Sequence, residues 1–187
     1  MNIAIYGRPV NLNQIELAET LIKLLRQSDH KIVLHSEYYN FLKQHLPLEP
    51  KIPEFSRHEE ISGDIDFLFS IGGDGTLLDT VSLVKDSKIP VVGVNAGRLG
   101  FLSSVSRDNL EFAIDSLAKG HYSTDARTLL RVESNFPIFE GQNIALNEFT
   151  IHKKETSSMI TIHTYLNGEY LNSYWADGIM ISTPTGS

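Results

Sequence analysis

The sequence predicts an α/β protein, with an open parallel sheet in its N-terminal domain followed by the first part of an all-β domain. Two observations lead to this prediction. Up to residue 120, short apolar runs alternate with segments whose apolar residues recur at helical spacing, which is typical of parallel strands joined by crossover helices. From residue 121 the helical spacing stops and strand patterns take over. We therefore expect an α/β domain over 1–120 and an incomplete β domain over 121–187.

The predicted elements of the first domain follow from these patterns in order. Apolar runs predict four strands, over residues 2–6, 31–35, 65–71 and 89–94. Helical spacing predicts four helices, over residues 13–27, 37–46, 76–84 and 108–118. Three prolines after the second helix mark a loop that no helix crosses: Pro47, Pro50 and Pro53.

The second domain is predicted to be mostly β. Extended segments are expected over 128–134, 143–152, 158–166, 169–174 and 178–182. The pair Asn167-Gly168 indicates a two-residue hairpin turn, because both residue types adopt positive φ readily. A sheet of so few strands would leave open edges, so we expect the sequence to be a fragment of a longer chain.

Composition narrows the class of protein. The 187 residues are 41% hydrophobic, enough to bury a core, and the formal net charge of −7 disfavours nucleic acid as a partner. There are no cysteines, and the seven histidines form no pair at zinc-ligand spacing, so no metal ligand is assigned. No apolar run reaches the length of a signal peptide or a membrane span. These features predict a cytoplasmic protein with no membrane partner.

The most informative stretch is a glycine-rich turn between the third strand and the third helix. It consists of Gly72, Gly73, Asp74 and Gly75. Ligands of open α/β sheets bind beyond the carboxyl ends of the strands, where helix N-termini offer backbone N–H groups to phosphate. A carboxylate there suits a proton acceptor or a metal ligand. The alternative is an ordinary tight turn, since the spacing matches neither of the two familiar phosphate-binding motifs.

A second glycine-containing loop, residues 93–102, follows the fourth strand and is expected to lie beside this turn. Arg98 could pair with phosphate or be a solvated charge. Phe101 and Leu102 are expected to anchor the loop in the core.

Polar residues interrupt the predicted strands of the second domain at two places. The pair Asn147-Glu148 splits an apolar run, and on a strand the two side chains face opposite ways, so that either one could enter a cleft. The other place is Asp177-Gly178, which could be an ordinary turn. For each place, the sequence is consistent with a functional site and with a solvated edge.

Taken together and in order, four motifs resemble the NAD kinase family. They are Gly72-Gly73-Asp74-Gly75-Thr76, the loop from Asn95 to Leu102, Asn147-Glu148, and the run from Asp177 to Ser187. The resemblance implies an α/β domain joined to an all-β domain. It also implies transfer of a phosphoryl group from ATP or polyphosphate to the 2′-hydroxyl of NAD, with a divalent metal such as Mg²⁺.

The resemblance also implies roles for individual residues. Asp74 matches the proton acceptor, with Gly72, Gly73 and Gly75 around it, and Asn147 and Glu148 match a pair that holds NAD. Further dinucleotide contacts match the residues Asp177, Thr185, Gly186 and Ser187. The expected partners are NAD and ATP, and the full-length chain is expected to form a homo-oligomer. Trp175 departs from the arginine of some family members.

Two other functions stay open at this stage. Lipid and sphingoid kinases share the Gly-Gly-Asp-Gly turn, although they have no need of Asn147-Glu148. A non-catalytic dinucleotide-binding fragment is the third possibility.

Overall fold

The computed structural model describes residues 1–9, 12–48, 52–61, 63–95, 97, 100–102, 105–139, 143–154 and 158–186. The chain divides into two compact units, Met1–Asp125 and Ala126–Ser187.

The first unit contains a six-stranded parallel sheet, which confirms the predicted fold class. Its strands are β1 Asn2–Gly7, β2 Lys31–His35, β3 Glu54–Phe55, β4 Phe67–Ile71, β5 Val91–Asn95 and β6 Val105–Ser106. They lie in the order β3-β2-β1-β4-β5-β6. The two edge strands, β3 and β6, were not predicted, because a two-residue strand is too short to show any periodicity.

Four α-helices accompany the sheet: α1 Leu12–Gln27, α2 Ser36–Lys43, α3 Asp74–Val84 and α4 Leu110–Ala118. The predicted helix over 37–46 ends early, at Lys43, and continues as turns before Pro47. This is expected, because a residue that precedes proline is disfavoured in helical conformation. Short 3₁₀ turns occupy His58–Glu60 and Arg107–Asn109, the second of which replaces the predicted start of the last helix.

Both faces of the sheet are covered, as a parallel sheet requires. On one face, Ile3 and Ile5 of β1 pack in a cluster with residues of α1, α2 and α4. On the other face, Ala4 of β1 and Leu68 of β4 pack with Leu83 of α3. Burial of each such leucine or isoleucine stabilises the fold by about 1.5–3 kcal/mol. The central strands are therefore the most firmly held part of the unit.

The pairing of β1 with β4 lies in the middle of this sheet, where the strand order reverses direction. Tyr6 is opposite Ser70, and Gly7 is opposite Ile71, so the two strands end at the same level. The segments that follow them therefore emerge side by side. In open α/β sheets this switch point is where ligands bind.

The second unit is built from antiparallel strand pairs. The strands are β7 Leu130–Arg131, β8 Ile144–Ala145, β9 Glu148–His152, β10 Ile160–Leu166, β11 Glu169–Ala176 and β12 Gly178–Ser182. They form the pairs β7–β8, β9–β12 and β10–β11. The predicted hairpin turn is present, with φ of 53° at Asn167 and 88° at Gly168. The predicted strand over 143–152 is divided into β8 and β9 by a bend at Leu146 and Asn147. Just before the start of β9, the backbone carbonyl of Asn147 still accepts a hydrogen bond from the N–H of Thr183 at 2.8 Å.

Little of the second unit is buried. Among its described residues, only Leu146 and Thr183 are less than one tenth exposed. Its large exposed apolar residues include Tyr165, Leu166, Tyr170, Leu171, Trp175 and Met180. Across the described part of the whole chain, no helix has both the length and the apolar character needed to cross a bilayer.

Tyr38 of α2 provides a test of the core packing. Its ring lies where a side chain at Gly7 would be, 2.5 Å from an ideal Cβ position, and its hydroxyl is buried with no hydrogen-bond partner among the described residues. Burial raises the pKa of this phenol. A buried hydroxyl without a partner costs about 1–3 kcal/mol.

We therefore expect Tyr38→Phe to raise the free energy of unfolding by about 1 kcal/mol, because the apolar ring keeps its packing. Urea denaturation monitored by circular dichroism measures this change. The same substitution at half-exposed Tyr122 is the control and should have little effect. A loss of stability in Tyr38→Phe would show that the hydroxyl is satisfied.

Candidate active site

The glycine-rich turn directly follows β4 and forms the start of α3. Gly72 has φ of 153°, and an added Cβ would lie 2.3 Å from Oγ1 of Thr76, so a side chain cannot be accommodated. The carbonyl of Gly73 accepts hydrogen bonds from the N–H groups of Thr76 and Leu77, at 3.0 and 3.2 Å. The helix therefore begins at Asp74, two residues before the predicted start.

The Asp74 carboxylate is held by the loop that follows β5. The N–H of Phe101 donates to Oδ2 at 2.8 Å, and the N–H of Leu102 donates to Oδ1 at 3.0 Å. Gly100 approaches so closely that an ideal Cβ would lie 2.2 Å from Oδ1. The structure thus brings the second glycine-containing loop against the glycine-rich turn.

This attachment corrects one expectation from the sequence. The Phe101 side chain is completely exposed, and Leu102 is half-buried. The prediction that both side chains anchor the loop in the core is wrong for Phe101, because here the loop is attached through backbone N–H groups. Arg98 lies outside the described residues.

The end of β1 carries a second polar network, which the sequence analysis did not identify. The Arg8 guanidinium donates to both carboxylate oxygens of Asp79 in α3, through Nε at 2.5 Å and Nη2 at 2.6 Å. The Tyr6 hydroxyl donates to the same carboxylate at 2.9 Å. The Nη1 atom of Arg8 lies 3.8 Å from the position of a Cβ on Gly75. The only signal in the sequence was the position of Arg8 directly after a central strand.

The Tyr6–Asp79 bond has an effect on ionisation. Burial first, and then the hydrogen bond and charge of Asp79, raise the pKa of Tyr6 to about 12 from an ordinary 10.0. The phenol binds its proton more tightly in the folded chain than in the unfolded chain, so the raised pKa of Tyr6 stabilises the fold. This stabilisation is fully present below pH 10.0. It is lost as the pH rises through about 12.

We therefore expect Asp79→Asn to lower the pKa of Tyr6 toward its ordinary value, although the effect of burial remains. NMR titration of the tyrosine ring carbons, with Tyr6→Phe to assign the signal, measures the change. An unchanged Tyr6 titration would show that Asp79 does not influence the phenol.

In the second unit, the structure brings Asn147 together with Thr185 and Gly186. An added Cβ on Gly186 would lie 2.5 Å from the carbonyl oxygen of Asn147, so the segment after β12 passes directly over this backbone. The N–H of Thr185 donates to Oγ1 of Thr183 at 3.1 Å. The side-chain Oδ1 of Asn147 is buried without a hydrogen-bond partner among the described residues. A ligand can reach this oxygen only if the side chain turns outward, because the atom is buried here.

The other predicted residues of this unit are placed differently. Glu148 is exposed and pairs in register with Ser182, whereas Asp177 directly precedes Gly178, which pairs with His152. Four residue steps along the strand separate these two ends of the β9–β12 pair, roughly 13 Å. The structure thus does not bring Asp177 beside Asn147. Ser187 lies outside the described residues.

Asp177 has a partner of its own. Its Oδ1 forms an ion pair with Nζ of Lys153 at 2.6 Å. The hydrogen bond from Lys153, and then its charge, lower the pKa of Asp177. The nearby Trp175 is mostly exposed.

A metal site built by the protein alone requires several acidic or histidine side chains close together. Nowhere in the described ranges do three or more histidine or acidic side chains form a group that could hold a metal ion. Mg²⁺ usually takes only one or two carboxylates from a protein and its remaining ligands from phosphate and water. The described residues therefore do not build a metal cage of their own.

The fold and the site define an open α/β protein with an acidic, glycine-rich turn at the switch point of its sheet. The chain matches two family models: ATP-NAD kinase N-terminal domain over residues 3–122, and ATP-NAD kinase C-terminal domain over residues 146–187. The chain belongs to the ATP-NAD kinase family.

Curated relatives agree with this assignment. NAD kinase of Cytophaga hutchinsonii is 41% identical over 187 residues, and NAD kinase of Flavobacterium psychrophilum is 41% identical over 189 residues. In both cases the match covers 100% of this chain and 64% of the relative. The chain thus spans less than two thirds of the length of these proteins.

A solved structure shows the same fold. The crystal structure of yeast NADH kinase complexed with NADH matches with a TM-score of 0.79 and 24% sequence identity. The match covers 100% of this chain and 58% of the yeast chain.

Proposed function

We propose that this chain provides the phosphoryl-transfer site of an NAD kinase, which moves a phosphoryl group from ATP or polyphosphate to the 2′-hydroxyl of NAD and forms NADP. The observation that carries the proposal is the Asp74 carboxylate, held in a fixed orientation beside the glycine-rich turn at the sheet's switch point. The family assignment supports it and disfavours the alternative of a lipid or sphingoid kinase.

Asp74 is the proton acceptor in this proposal. Carboxylates ordinarily titrate near pH ~4, so such a group is far too weak to remove the proton of a ribose hydroxyl in advance. The proton therefore moves to the carboxylate late, as the bond from the 2′-oxygen to phosphorus forms and the bond to the leaving phosphate oxygen breaks. Positioning of the substrates and electrostatic stabilisation of the transition state account for most of the reduction of the activation barrier.

The phosphates of the donor fit the glycine-rich turn for two reasons. The first N–H groups of a helix have no partners within the helix, and Gly73 and Gly75 have no side chain that would keep phosphate away. Arg8 lies next to Gly75, where its charge is balanced by the paired carboxylate of Asp79. A divalent metal such as Mg²⁺, when bound, would neutralise phosphate charge, and the donor phosphates and water would provide most of its ligands.

NAD is proposed to contact polar residues of the second unit. The Asn147 amide oxygen has no partner among the described residues, and with the side chain turned outward it can accept a hydrogen bond from an N–H or O–H donor of a dinucleotide. Glu148 follows Asn147 in the sequence, and the segment that contains Thr185 and Gly186 contacts it in space. These three residues are proposed to bind NAD together with Asn147. Asp177 and Ser187 are proposed as further dinucleotide contacts on the strength of the family motif alone.

Three broader properties are proposed with the activity. The protein acts on small molecules and has no nucleic-acid partner, as the net charge of −7 suggests. It works in the cytoplasm. It forms a homo-oligomer when full length.

Asp74→Asn provides the test of the proposed reaction. We expect turnover to NADP to fall by about 10²–10⁴, because an amide cannot accept the proton, while the dissociation constant for NAD changes little. A coupled-enzyme assay of the NADP formed by the intact protein measures turnover. Calorimetric titration with NAD measures the dissociation constant.

The control is Asp115→Asn, which changes the same atoms on the exposed surface of α4, where the carboxylate pairs with Lys119. Turnover should be unaffected. Unchanged turnover in Asp74→Asn would remove Asp74 from the mechanism. Binding of NAD and ATP by the wild-type protein without formation of NADP would instead favour a non-catalytic dinucleotide-binding role.

A further inference from the structure

We propose that Gly100 is a positioning residue for the Asp74 carboxylate, which orients the proton acceptor by letting the loop backbone reach it. This inference rests on the proposed function for its kinetic consequences. Its structural part, the orientation of the carboxylate by the loop, can be tested without any activity.

The contact at Gly100 leaves no room for a side chain. An ideal Cβ at this position would lie 2.2 Å from Oδ1, 2.6 Å from Cγ and 2.7 Å from Oδ2 of Asp74. Real Cβ atoms essentially never come this close to such atoms, so either the loop or the carboxylate must move. The next two residues, Phe101 and Leu102, donate the hydrogen bonds that fix the carboxylate. A movement of either partner therefore breaks the same pair of bonds.

The hydrogen bonds from Phe101 and Leu102 determine the orientation of the Asp74 carboxylate. The side chain of Asp74 is short and has two torsion angles, one about the Cα–Cβ bond and one about the Cβ–Cγ bond. One N–H donor on each carboxylate oxygen fixes both torsion angles. Because the Phe101 side chain is fully exposed, it does not hold the loop in place by packing. The bonds to Asp74 are thus a principal link between this part of the loop and α3.

Orientation has a direct effect on proton transfer. A proton acceptor must lie about 2.6–3.2 Å from the oxygen whose proton it takes. A misplacement of about 1 Å can lower the rate by roughly 10². A change at Gly100 should therefore affect the chemical step and leave the binding of NAD largely intact.

The first measurement compares Gly100→Ala with Gly97→Ala, since Gly97 lies in the same loop and no described atom is within 4 Å of its ideal Cβ. Hydrogen exchange, followed by NMR, should show protected N–H groups at residues 101 and 102 in the wild-type protein and in Gly97→Ala. Protection should be lost in Gly100→Ala and in Asp74→Ala. Retained protection in Gly100→Ala would overturn the proposal whether or not the protein is an NAD kinase.

The second measurement is a double-mutant cycle in the intact enzyme. Gly100→Ala alone should lower kcat by about 10² with KM for NAD within about twofold of the wild-type value. In the Asp74→Asn background the same change should cause little further loss, because the group through which Gly100 acts is already gone. Equal losses in both backgrounds would show that Gly100 acts on general stability and would overturn the positioning role.

Discussion

The parallel pairing of β1 with β4 is the constraint on which the first unit depends. These two strands lie in the centre of the sheet, are covered on both faces, and end at the same level. Chain leaving β1 and chain leaving β4 must therefore emerge next to each other. Arg8 comes from the first and Asp74 from the second, and neither is placed by its neighbours in sequence alone.

Two pairs of hydrogen bonds then fix the polar groups at this edge of the sheet. Arg8 reaches Asp79 in α3 with a forked pair of hydrogen bonds, and Asp74 receives two backbone N–H groups from the loop after β5. Hydrogen bonds to charged groups contribute about 1.5–3 kcal/mol each, although exposure of Arg8 reduces its share. The first pair of hydrogen bonds joins the end of β1 to α3, and the second pair joins α3 to the segment after β5. Three neighbouring strands thereby contribute to one connected polar edge.

The second unit places its polar residues by a different means. It buries few of its own side chains, so backbone contacts position Asn147. The segment after β12 crosses the Asn147 carbonyl closely enough that only glycine fits at position 186. Glu148 and Asp177, which belong to two separate sequence motifs, lie at opposite ends of one strand pair.

The sequence by itself determined the class of the fold, the long elements, the hairpin at Asn167-Gly168 and the position of the glycine-rich turn. Each of these depends on local patterns: strand and helix periodicity, and residue types that permit unusual backbone angles. The sequence motifs also identified Asp74 and Asn147 as candidates. These features could be predicted because neighbours within a few residues decide them.

Only the tertiary structure decided how the loop after β5 is attached, and that Arg8 is paired with Asp79. The loop was expected to be held by the Phe101 side chain, since large apolar residues are usually buried, yet backbone N–H groups make the contact and the ring is exposed. Backbone N–H groups are the same for nearly every residue, so their partners leave no trace in the sequence. The Arg8–Asp79 pair spans 71 positions, and only the adjacency of β1 and β4 brings its two members together.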